Sequence, residues 1–85
     1  MKQFTYIITD EVGIHARPAG LLVKEAKQYA SKIVIQKGEK QAEATKLMAI
    51  MGLGVKCGDE ITVQVSGEDE EHAATQMEEF FKENL

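Results

Sequence analysis

Residues 61–66, Ile61-Thr62-Val63-Gln64-Val65-Ser66, alternate apolar and polar side chains along their whole length. A period of two sets Ile61, Val63 and Val65 on one face and Thr62, Gln64 and Ser66 on the other, which makes this the clearest strand in the chain. Just beyond it, Asp69 is placed to cap a helix, and Glu70 and Glu71 suit the positive end of one. Ala73, Met77, Phe80 and Phe81 then form that helix's buried stripe. Working back, Lys56-Cys57-Gly58-Asp59 is a turn, and Thr45 to Leu53 is a short apolar helix. Gln41 to Ala44 pairs across Lys37-Gly38-Glu39 with the β-branched strand Lys32 to Gln36. Phe4 to Thr9 is a further strand, with Phe4, Tyr6 and Ile8 on one side, ended by Asp10-Glu11-Val12-Gly13. From Ala16 the period changes to that of a helix, with Ala19, Leu22, Val23, Ala26 and Ala30 recurring on one side. The order β-α-β-β-α-β-α is a split βαβ pattern. It predicts an α+β fold, a four-stranded antiparallel sheet with three helices on one face.

The 85 residues leave room for one domain, 1–85, and 44% of them are apolar, as in an ordinary globular chain. No apolar run approaches the about 20 residues that cross a bilayer, and the N-terminal stretch lacks a signal-peptide core. Cys57 is the only cysteine. A small domain without an internal disulfide or targeting signal is expected in the cytoplasm, without insertion into a membrane. The net charge is −4, with seven acidic side chains against Lys82 in residues 68–85, net −6, and +2 over residues 1–67. That balance argues against a nucleic-acid partner. His15, Cys57 and His72 show no metal-ligand spacing, and no cofactor is expected.

Chemistry concentrates in Gly13-Ile14-His15-Ala16-Arg17-Pro18, between the first strand and the first helix. Pro18 suits a first helical turn, where its missing N–H costs nothing. His15 then stands at the helix entrance, with the amides of Ala16 and Arg17 just beyond it. Unpaired amides and the positive dipole end make a ready anion site, and Arg17 adds a forked donor suited to phosphate. A ring in such surroundings is expected to stay neutral and nucleophilic near pH 7. From these residues alone two readings stand, a capping or loop histidine and a nucleophile that takes up an anion.

Gly13-Ile14-His15-Ala16-Arg17-Pro18-Ala19 resembles the active-site segment of the HPr family, the histidine-containing phosphocarriers of the phosphoenolpyruvate-dependent sugar phosphotransferase system. Lys46-Leu47-Met48-Ala49-Ile50-Met51-Gly52-Leu53-Gly54 resembles the family's short second helix. Ile61 to Gly67 followed by Glu68-Asp69-Glu70 resembles its last strand and helix start. The similarity runs over essentially the whole chain. It implies an open-faced β-sandwich and a carrier, not a free-standing enzyme. Enzyme I, phosphorylated by phosphoenolpyruvate, would pass a phosphoryl group to Nδ1 of His15, and IIA components of sugar permeases would accept it. Arg17 would serve the transition state, and the helix amides of Ala16 and Arg17 the phosphorylated product.

At about 100° per residue, Leu47, Met48 and Met51 share one sector of the second helix, and Ala49, Ile50 and Leu53 the opposite one. Periodicity alone leaves open whether all six are core. The resemblance implies a docking surface made of Gly20, Lys24 and Lys27 with Leu47, Met48 and Met51, on a monomer. In the family branch regulated by HPr kinase, a serine heads the second helix; here Lys46 stands there, and neighbouring Thr45 is expected to cap the helix. His72 is expected in solvent, Cys57 in a loop, and the aromatic rings in the core. A regulatory paralogue, of nitrogen or catabolite-control type, is the nearest alternative. An acylphosphatase-like hydrolase would need an asparagine to position water, and the only asparagine is Asn84. A metallochaperone would need an absent Cys-x-x-Cys loop.

Overall fold

The computed structural model describes residues 1–85. Its elements run β1 (Lys2–Ile7), α1 (Ala16–Ala26), β2 (Lys32–Lys37), β3 (Lys40–Glu43), α2 (Leu47–Gly52), β4 (Glu60–Ser66) and α3 (Glu70–Asn84). The four strands form one antiparallel sheet in the order β1-β4-β2-β3. The alternating strand β4 is therefore central. Val63 faces Phe4 on one side and Ile35 on the other, and Val65 faces Lys2 and Ile33. The expected α+β architecture, with three helices on a four-stranded antiparallel sheet, is what the chain adopts.

The pattern that marks β4 as a strand also fixes which face it buries. Ile61, Val63 and Val65 are sealed, whereas Thr62 and Gln64, on the other face, stay partly open. Ile33, Ile35 and Ala42 continue the buried face across β2 and β3. The helices close it with Ala19, Leu22 and Ala26 from α1, Ile50 from α2, and Ala73, Met77 and Phe81 from α3. Phe81 is the pin between α3 and the edge strand β1. Its ring meets Phe4 at 6.0 Å, Tyr6 at 5.7 Å and Phe80 at 6.0 Å, all edge-on. Burying one such ring contributes about 2–3 kcal/mol, and edge-to-face pairing adds to it. No helix is long and apolar enough to cross a membrane.

Several boundaries differ from expectation for local reasons. α1 stops at Ala26, where the Lys27 and Gln28 amides still reach back to Val23 and Glu25, so Ala30 lies outside the helix and is exposed. Thr45 does not cap α2. Lys46 takes the N-cap position in extended backbone, with no side-chain capping bond. Asp69 does occupy the N-cap of α3, but its carboxylate caps nothing there and bonds to the Ala30 and Ser31 amides instead. Ala49 is exposed, not buried, because α2 has only six residues and Ile50 and Leu53 suffice to seal it. His72 is exposed as expected, and its ring lies 5.8 Å from that of Tyr29.

Candidate functional site

His15 is the N-cap of α1, in extended backbone (φ −99°, ψ −174°), and its carbonyl accepts the first helical bond from Ala19 at 2.9 Å. Its side chain makes no capping bond. The residue thus has the position of a cap without doing a cap's work, and the ring remains available. The amides of Ala16 and Arg17 open the helix, where the ladder offers no partner. Together with the dipole they favour an anion beside the ring.

The loop that presents His15 is tied down on both sides. Gly13 has φ +77°, a conformation other residues rarely adopt, and a Cβ there would meet the Val55 carbonyl oxygen at 2.3 Å. The Ile14 amide donates to that same Val55 oxygen at 3.1 Å, and the His15 amide to the Gly13 oxygen at 3.2 Å. Further back, the Thr9 and Asp10 amides and the Thr9 hydroxyl all donate to the Leu85 oxygen. The Asp10 Oδ1 accepts the Val12 amide at 2.9 Å and lies 3.9 Å from Nε2 of His15.

His15 opens into a shallow depression lined by Asp10, Arg17, Pro18, Leu21, Glu83 and Asn84. Two of the expected site residues, His15 and Arg17, therefore share one hollow, with the Ala16 amide at its helix mouth. Gly20, Lys24 and Lys27 are exposed at i, i+4 and i+7 along α1 and lead away from it. α2 packs beside α1. It leaves Leu47 (41%), Met48 (77%) and Met51 (39%) exposed, while Ile50 is fully buried. Sequence reading missed Asp10, Leu21, Glu83 and Asn84 as site residues. Asp10 carried a signal, an Asx-turn residue five positions before the histidine. Glu83 and Asn84 carried none, because only the packing of α3 brings them to residue 15. The sole asparagine thus stands beside the histidine after all, with its side-chain amide donating to the Phe80 carbonyl at 3.0 Å.

His15 thus stands at the helix mouth of an open-faced α+β sandwich, and its ring makes no capping bond. The model of the family described as "PTS HPr component phosphorylation site" matches residues 2–83. The phosphocarrier protein HPr of Mycoplasma capricolum is 47% identical over 73 residues, 86% of this chain and 82% of that protein. A solved Mycoplasma histidine-containing phosphocarrier protein superposes with a TM-score of 0.93 at 40% identity, covering 96% of this chain and 93% of the other. Crh, the catabolite repression HPr of Bacillus subtilis, solved as a swapped dimer, gives 0.78 at 33% identity, over 100% and 98% of the two chains. The chain belongs to the HPr family of phosphotransferase-system phosphocarriers.

Proposed function

We propose that this chain, acting as one domain and as a monomer in the cytoplasm, accepts a phosphoryl group from phospho-Enzyme I on Nδ1 of His15. It then hands that group to IIA components of sugar permeases. The observation that carries this reading is that His15 holds the N-cap of α1 with its ring free of any capping bond. Nδ1 attacks phosphorus, Arg17 steadies the charge on the transferring oxygens, and the Ala16 and Arg17 amides hold the product. The exposed row Leu47, Met48 and Met51, with Gly20, Lys24 and Lys27 beside it, receives both partners in turn. Methionine adapts to more than one surface.

The test is incubation with phosphoenolpyruvate and Enzyme I, followed by intact mass. One phosphate per chain is expected, labile in acid and stable in base, and absent from His15→Ala. Phosphate on His72, or retained by His15→Ala, overturns the assignment. Size-exclusion chromatography checks the monomer against the swapped dimer of Crh.

A further inference from the structure

We propose that Asp10 is a positioning residue for His15, keeping the ring's proton on Nε2 and so leaving the Nδ1 electron pair free for phosphorus; this rests on the carrier reading above. Three contacts hold Asp10 in place. Its amide donates to the Leu85 oxygen at 2.8 Å, its carbonyl accepts from Gly13 at 3.0 Å, and its Oδ1 accepts the Val12 amide at 2.9 Å. The last of these is an Asx turn, which pins the carboxylate to its own loop. That pinned oxygen faces Nε2 at 3.9 Å. The separation exceeds a hydrogen bond, so the interaction is one of charge with the ring's dipole.

The tautomer follows from the sign of that charge. With the proton on Nε2, an N–H points toward a carboxylate; with the proton on Nδ1, the Nε2 electron pair would face it instead. In a neutral imidazole, one nitrogen's environment decides which role the other plays. The other charged groups bordering the hollow are Arg17 from α1 and Glu83 from α3. Arg17 is the one cation among them and serves the incoming anion. In the transfer, the Nδ1 pair forms the N–P bond while the donor's bond to phosphorus breaks and its electron pair leaves with the donor. No proton has to move, because Nε2 already holds it. The ring becomes a cation as it is phosphorylated, with its N–H still directed at Asp10.

Asp10→Asn separates charge from structure, since asparagine keeps the Oδ1 acceptor of the Asx turn. The full-length, unphosphorylated protein, labelled with nitrogen-15, is examined at a pH where the ring is neutral, and long-range proton–nitrogen spectra report both ring nitrogens. The Nε2–H form should dominate, and its ratio to the Nδ1–H form should fall about two- to fivefold in Asp10→Asn, the range of exposed charge interactions. The Val12 amide signal should stay in place. Raising the salt concentration on the unsubstituted protein should lower the ratio in the same direction, without any substitution. A ratio unmoved by both Asp10→Asn and salt overturns the assignment, even if the chain is phosphorylated normally by Enzyme I. A biased ring that accepts no phosphoryl group sinks the carrier reading and leaves the role of Asp10 in holding the proton on Nε2 standing.

Discussion

The Asp69 carboxylate accepts the Ser31 amide at 2.9 Å and the Ser31 hydroxyl as well, fastening the start of β2 to the start of α3. The Ala30 amide donates to the same carboxylate at 3.0 Å. Ser31 is itself buried, and Gly67 lies so close that a Cβ there would stand 2.7 Å from the Ser31 Cα. The Ser31 hydroxyl first, and the Ala30 amide next, hold the Asp69 carboxyl below its ordinary 3.8. A carboxyl depressed in the folded state stabilises the fold above its ordinary value, and that contribution is lost as pH falls through the folded value. Asp69→Asn should therefore melt at a lower temperature at neutral pH, with the gap closing as the solution becomes more acidic than about pH 4. Thermal melts of both proteins across pH 2–8 check this; an equal gap at both ends would refute it.

Gly13→Ala should cost about 2–4 kcal/mol, because the new methyl group meets the Val55 carbonyl and Lys56 Cα while the backbone stays at positive φ. Urea denaturation measures the loss. Because the Ile14 amide uses the same Val55 oxygen, the substitution should also slow phosphoryl uptake at His15 in whatever fraction remains folded.

Met48→Asp and Ile50→Ala should separate docking from folding on one six-residue helix. Met48 is 77% exposed, so a charge there should weaken binding to Enzyme I and leave the melting temperature nearly unchanged. Ile50 is fully buried, and its truncation should cost about 2–4 kcal/mol with little effect on affinity in the folded protein. Calorimetric titration and urea melts on both variants read the two effects. A Met48→Asp protein that unfolds would place that side chain in the core.

Lys46 stands where the kinase-regulated branch of the family has a serine, at the N-cap of α2 and exposed. The chain should take no phosphate from ATP with an HPr kinase, whereas Lys46→Ser should. A phosphoserine there would add about −1.5 to −2 charge beside the proposed docking face. Labelling of the unsubstituted chain, at Thr45 or elsewhere, would show that regulation survives without the serine.

The sheet was legible because its signals are local. Alternation in 61–66 needs no distant partner to be read, and it returned both the strand and its buried face. Helix faces were legible where the helix is long enough to average over, as in α3, where Ala73, Met77 and Phe81 of the expected stripe are buried and Phe80 is half-buried. They were less so in α2, where two turns cannot separate Ala49 from Ile50 and only contact with the sheet decides. Lys46, not Thr45, takes the N-cap of α2, while Asp69 takes that of α3 as expected but turns its carboxylate to a neighbour. Asp69 found two amides and a hydroxyl across the loop. The histidine and arginine of the site lie two residues apart and could be found together. Asp10, Glu83 and Asn84 reach them through a turn and through the far end of α3, a juxtaposition that exists only after packing.

The strand order β1-β4-β2-β3 also sets a timetable. β2 and β3 are joined by a tight turn and can pair as soon as both exist. β1, first in the chain, has no sheet partner until residues 60–66 arrive to fill the gap between it and β2. Closing so long a loop before any reward makes pairing slow and all-or-none. On a ribosome the first strand must therefore wait, its apolar face unpaired, while most of the chain is made. His15 waits with it, because its loop rests on the Val55 and Leu85 oxygens. The proposed nucleophile is encoded early and assembled late, so on the carrier reading a nascent chain would take up no phosphate before this loop has folded.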